Sequence, residues 1–278
     1  MLTSVYLVPH GMQVIPGLEE PYHEGFRPIH EALLQAGRDR EADGPELLIL
    51  LTPHGHTLPG SYLVYLHGRF QGLLYALTES NVFGELKSRA LWTGDLPAAG
   101  QLLEAMRGAG LAAEGLVQGS PDYPLTLAWG EVVPLTYLAG SSAPRVVIIS
   151  LPRRRSEGVA GMQAELAALG RVLLDYARAQ AARVAIICSA DLAHRHAASG
   201  PYGYHKSAAA FDRRALEWAQ KPTREGLQGL LALDLTARAC GLAGLCVLQE
   251  ILEAEGLGCR SLTYAAPTYF GLLVSRWA

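Results

Sequence analysis

Two tripeptides, Pro9-His10-Gly11 and Pro53-His54-Gly55, each close an apolar run. Proline limits its own φ and the conformation of the residue before it, while glycine permits a sharp exit, so each imidazole is held on a short, restricted loop without a helix. A lone histidine in such a place is more often a loop residue satisfied by backbone. Two copies with the same surroundings argue instead for a metal site with His10 and His54 as ligands, because neutral imidazole is the commonest ligand for iron, zinc and copper. His56, two residues on, is the alternative to His54.

A site with two histidines needs a third protein ligand, which in non-heme iron oxygenases is usually a carboxylate that leaves positions open for dioxygen and substrate. The best candidate here is Cys240, in Thr236-Ala237-Arg238-Ala239-Cys240-Gly241, just ahead of a helical pattern where the helix dipole and free N–H groups favour a thiolate. The competing reading, a small buried apolar residue, stays open. Cys246 reads as core, Cys259 as loop and Cys188 as strand interior. His194 follows a strand and Asp191, so it can take or return a proton near neutral pH. Asp191 either orients a neighbouring imidazole or arginine, or caps the next turn. His23, His30, His67, His196 and His205 read as surface or supporting residues.

These side chains need a scaffold that brings distant segments together. Short β-branched or leucine-rich runs alternate with longer alanine- and leucine-rich stretches of helical period, the pattern of βα units around a buried sheet. The strands expected are Val5 to Val8, Glu46 to Leu51, Val132 to Leu138, Arg145 to Leu151, Arg183 to Cys188 and Thr268 to Ser275. The helices expected are Pro28 to Ala36, Ala98 to Ala109, Gly161 to Arg178, Ser207 to Ala219, Arg224 to Leu233 and Gly241 to Ala254. No linker, low-complexity tract or repeat interrupts the chain, so residues 1–278 are read as one α/β domain with a central, mostly parallel sheet flanked by helices. Open sheets of this kind place ligands beyond the carboxyl ends of their strands. Three such ends carry His10, His54 and the Asp191-to-His194 segment, and they converge if their strands are adjacent.

Composition narrows the function. The chain of 278 residues is 50% hydrophobic and 18% charged, which is enough apolar content for a large core. Its formal net charge is -3, with a pI near 6.3. The one basic run, Arg153-Arg154-Arg155, has no aromatic interleaving and reads as a solvated loop, so nucleic acid is not an expected partner. Four cysteines without a CxxC pair fit a reducing cytoplasm, and no apolar run reaches the ~18 residues of a membrane span.

Beyond these local readings, the sequence resembles the class III extradiol ring-cleavage dioxygenases, a superfamily that includes the Memo proteins. Val8-Pro9-His10-Gly11 with Ile15-Pro16-Gly17 resembles the family's opening, and Thr52-Pro53-His54-Gly55 its second histidine strand. The most specific match runs from Ser189-Ala190-Asp191-Leu192-Ala193-His194-Arg195 through Gly200-Pro201-Tyr202-Gly203-Tyr204-His205 to Phe211-Asp212. Cys240-Gly241-Leu242 and the segment from Tyr264-Ala265-Ala266-Pro267 to Leu273-Val274 match the branch often encoded with or fused to a Memo-associated domain.

The resemblance implies a metal bound by His10 and His54, His194 at the acid–base position, Fe(II) as cofactor, and a catechol-like small aromatic with dioxygen as substrates. It also suggests a homodimer. Two departures qualify it. True dioxygenases use glutamate as third ligand, whereas the region around Cys240 contains none, and a thiolate favours zinc or copper. Where relatives commonly read Asp-His-Gly before Val-Pro-Leu, Trp129 takes the histidine position, and an indole cannot shuttle a proton. Two other functions therefore stay open: a Memo-like metal-binding protein without ring cleavage, associated with a radical-SAM system, and a metal-assisted hydrolase with His194 or Asp191 as base.

Overall fold

The structure is a computed structural model that describes residues 1–19, 23–77, 83–140, 144–152 and 158–278. The basic run at 153–155 lies outside the described residues. Four largely buried runs form the heart of the main sheet: β1 (Leu2–Val8), β2 (Leu47–Thr52), β8 (Arg145–Ser150) and β9 (Val184–Ser189). Between them in the chain lie β3 (Tyr62–Tyr65), β4 (Arg69–Leu77), β5 (Phe83–Thr93), β6 (Ala113–Leu116) and β7 (Leu125–Thr126). After them come β10 (Cys259–Ala265) and β11 (Leu272–Trp277). The main sheet has eight strands in the order β10-β11-β1-β9-β2-β8-β3-β6, and β5-β4-β7 form a smaller sheet. β1, β9, β2 and β8 run parallel, while β11 and β3 flank them antiparallel.

Alternation along the central strands divides the core. Val5 and Leu7 face one side, with α2 (Leu96–Gly108), α4 (Gln163–Ala179), α5 (Ser207–Gln220), α6 (Arg224–Leu231) and α8 (Leu242–Glu255). Tyr6 and Val8 face the other, with α1 (Arg27–Asp43), α3 (Trp129–Leu138) and the small sheet. Parallel strands buried on both faces read as continuous apolar runs, which is why four of the six expected strands match real ones to within a few residues.

The expected strand Val132 to Leu138 is instead part of helix α3. The run is β-branched and buried on nearly every side, so it carries no amphipathic stripe to reveal its period. Pro134 has no N–H for a sheet ladder, and Glu131 reaches back to accept the Ala128 N–H at 3.0 Å, which caps a helix start. Thr268 to Gly271 are also not strand; β11 begins at Leu272. Cys259, expected in a loop, opens β10. The hairpin of β4 and β5 lacks the unbroken buried run of the central strands: β5 is largely exposed, and β4 alternates between buried and partly exposed residues.

Glu131 is completely buried, with Tyr65 Oη 2.9 Å from its Oε1. Burial pushes its carboxyl up to about 8, from an ordinary value of 4.5. A folded protein that holds this proton while the unfolded chain gives it up is fully stabilised below about pH 4.5 and loses that stability as pH rises towards about 8. Denaturant unfolding of the metal-free protein across this window is expected to show a loss on the order of a few kcal/mol. Glu131→Gln should flatten the dependence; an unchanged slope in that variant would contradict the assignment.

Candidate metal centre

β1, β9 and β2 are consecutive in the sheet, so the loops after them leave the same edge side by side. The His10 and His54 rings stand 4.7 Å apart, centroid to centroid, at 86°. Cys240 arrives from the opposite layer: Gly241 is the N-cap of α8, and the residue before it directs Sγ to 3.3 Å from His10 Nε2. One donor atom from each of His10, His54 and Cys240 lies within 4.8 Å of the others, and the same holds for Asp191, His194 and Cys240. His10, His54, Asp191, His194 and Cys240 are therefore in one place, and Cys240 is shared by the two groups.

Burial sets the charge states. His10 is only 2% exposed, and desolvation, helped by repulsion from His194, holds its imidazole down to about 3. It is neutral at any ordinary pH. Burial raises the Asp191 carboxyl to about 6, partly opposed by His194 and by backbone N–H donors. Asp191 accepts the His10 N–H at 3.0 Å through Oδ1 and places Oδ2 3.3 Å from His10 Nε2. Both contacts are with His10, one with its backbone N–H and one with its ring. Desolvation also lowers His194, against the pull of Asp191. Its ring stacks on Phe270 at 5.9 Å and 18°.

The other histidines have structural partners. His23 accepts from Gly25 N–H, and His67 is bound by the Tyr123 carbonyl and the Gln118 N–H. His30 pairs with Tyr137 and His205 with Ser207. His56 packs on Tyr65 rather than joining the donor group, so His54 and not its neighbour faces the centre. Trp129 is the first residue of α3, and its ring lies 5.4 Å from that of His54, lining the site.

Three supports were given no role from sequence, although Thr52 and Asp212 stand in segments that carry the family resemblance. Thr52 Oγ1 accepts the His54 N–H at 3.1 Å and clips the turn. Tyr65 Oη accepts the His56 N–H at 2.9 Å and joins that loop to Glu131; Gly55 stands at φ +99, where a Cβ would run into Glu131 Oε1. Asp212, on α5, accepts from Ala193 N–H, His196 and Tyr264 Oη, and Gly271 leaves the room for its carboxylate. The His194 loop is thereby fixed by a residue on a later helix.

A cavity opens on the group, lined by His54, Cys240, His194, Met162, Tyr202 and Arg238, with the Arg238 guanidinium 5.9 Å over the Tyr202 ring. Fold and site together define an α/β protein whose parallel strands end at a His/His/Cys donor group beside a cavity. The chain belongs to the family of catalytic LigB subunits of aromatic ring-opening dioxygenases, whose family model matches residues 4–267. It is 24% identical over 271 residues to protein CA_C1420 of Clostridium acetobutylicum; the match covers 95% of this chain and 54% of that protein, so the chain spans about half the length of that relative. The crystal structure of an uncharacterized protein, JW3007, of Escherichia coli K12 has a similar fold, with a TM-score of 0.55 at 12% identity over 99% of this chain and 100% of the other. No helix among the described residues is long and apolar enough to cross a membrane.

Asp212→Ala strips three donors, the buried Ala193 N–H and the half-buried His196 and Tyr264, of their acceptor and should destabilise the protein by about 3 kcal/mol. Tyr264→Phe should cost about 1 kcal/mol. Equal losses for the two in chemical denaturation would rule out Asp212 as the hub.

Proposed function

We propose that this protein is a non-heme, metal-dependent dioxygenase of extradiol type that opens the ring of a catechol-like small aromatic, with Fe(II) held by His10, His54 and Cys240. The observation that carries the proposal is the convergence of their donor atoms within 4.8 Å beside the cavity, in a chain of the ring-opening family. The donor set fits a metal. His10 Nε2 stands 3.3 Å from Cys240 Sγ and 3.3 Å from Asp191 Oδ2, so a soft thiol and a carboxyl flank the nitrogen that would bind the ion.

When bound, the ion would supply Lewis-acidic and redox contact to the substrate diol and to dioxygen. The remaining work falls to the chain. His194, kept neutral by burial, takes the diol proton and returns it to the product. Asp191 holds the His10 backbone in register. Met162, Leu151 and Tyr202 exclude water from the cavity, and Arg238 offers a guanidinium to an anionic oxygen of the substrate.

Cysteine in place of a carboxylate supports a second reading, a Memo-like protein that holds zinc or copper without cleaving rings. Elemental analysis after anaerobic purification, with an oxygen-electrode screen of catechols, separates the two. Bound iron with oxygen uptake is expected; zinc or copper without uptake would favour the second. His10→Ala, His54→Ala and Cys240→Ala should each lose metal, whereas His194→Ala should keep it and slow turnover by about 10²–10⁴-fold. Metal uptake should also release a proton from Cys240 and strengthen as pH rises.

A further inference from the structure

We propose that Ser189 fixes which nitrogen of His10 is offered to a metal, and that Gly130 and Pro134 hold Ser189 to that task. The inference rests on the reading of His10 as a ligand and adds positioning residues to it. Ser189 ends β9 and is 1% exposed. Its hydroxyl has one proton, which it donates to the Gly130 carbonyl at 2.6 Å. Towards His10 Nδ1, 2.8 Å away, only lone pairs remain, so Nδ1 must be the nitrogen that carries hydrogen. Nε2 is then a bare electron pair, and it is Nε2 that faces Cys240 Sγ and Asp191 Oδ2.

The carbonyl that orients Ser189 is available for a reason written in the sequence. Inside an α-helix the Gly130 carbonyl would receive the N–H of the residue four positions on. That residue is Pro134, which has none. Gly130 can approach because it has no side chain: a Cβ there would stand 2.6 Å from Thr52 Oγ1 and 2.8 Å from His54 Cβ. One helix end thus braces both loops, packing against His54 directly and reaching His10 through Ser189. The opposite tautomer would need Ser189 to turn its proton to His10, leaving a buried carbonyl with neither the serine hydroxyl nor a proline N–H. His10 is therefore in its ligating form before any ion arrives.

The test uses the full-length, metal-free protein with ¹⁵N-labelled histidine, with two-bond ¹H–¹⁵N correlations assigned through His10→Ala. Hydrogen on Nδ1 of His10 is expected in the wild type; a predominant Nε2–H form would overturn the proposal whatever the variants do. Ser189→Ala, its fold confirmed by circular dichroism, should lose the tautomer preference and bind zinc roughly 10–100-fold more weakly in competition with a chelator. Ser189→Thr, which keeps the hydroxyl, should restore both. Unchanged tautomer and zinc affinity in Ser189→Ala would overturn the assignment of Ser189 alone. Zinc affinity unchanged in His10→Ala would instead overturn the ligand reading of His10, and the positioning role of Ser189 would fall with it.

Discussion

His10 and Asp191 are buried where β1 and β9 end, and much of the site follows from that burial. An imidazole that is 2% exposed cannot hold a charge there, so His10 is a neutral base at all ordinary pH. The same dryness raises the nearby Asp191 and lowers His194, so groups that would be ions in water are pushed towards their uncharged forms. Buried polar atoms need fixed partners, which explains why so much of the hydrogen bonding around His10 and Asp191 is directed at loop backbone, while His194 Nδ1 is buried without one.

Carboxyl groups supply most of those partners. Asp191 binds the His10 N–H, Glu131 holds the His56 loop through Tyr65, and Asp212 binds the Ala193 N–H. Each is buried, and each acts on a different loop. Strand ends are loops by nature and would otherwise drift, which a donor group meant to converge within a few ångströms cannot tolerate. The glycines at 55 and 271 are the counterpart, because the acids occupy the space where a side chain would have been.

How much of this was legible beforehand depended on how local each signal was. The central strands could be read because burial on both faces leaves unbroken apolar runs, and Pro-His-Gly marks two of their ends in the sequence itself. Convergence of His10 with His54 needed only that their strands be near, and β9 between them carries Asp191 to the same edge. Helix α3 could not be read, since a helix buried all round has lost the periodicity that distinguishes it from a strand. Ser189 and Asp212 lie in the segment that most resembles the family, but their roles could not be read, because a small polar residue and an acid on a helix acquire their meaning from partners 59 and 19 positions away.

The donors of the centre do not share one origin. The imidazoles stand on loops rooted in the sheet, while the sulfur of Cys240 comes from the turn that leads into α8. A replacement at that turn would exchange a soft donor for a hard one and leave β1, β9 and β2 undisturbed. Chemical preference can in this way diverge between descendants through a single codon, on a framework that stays the same.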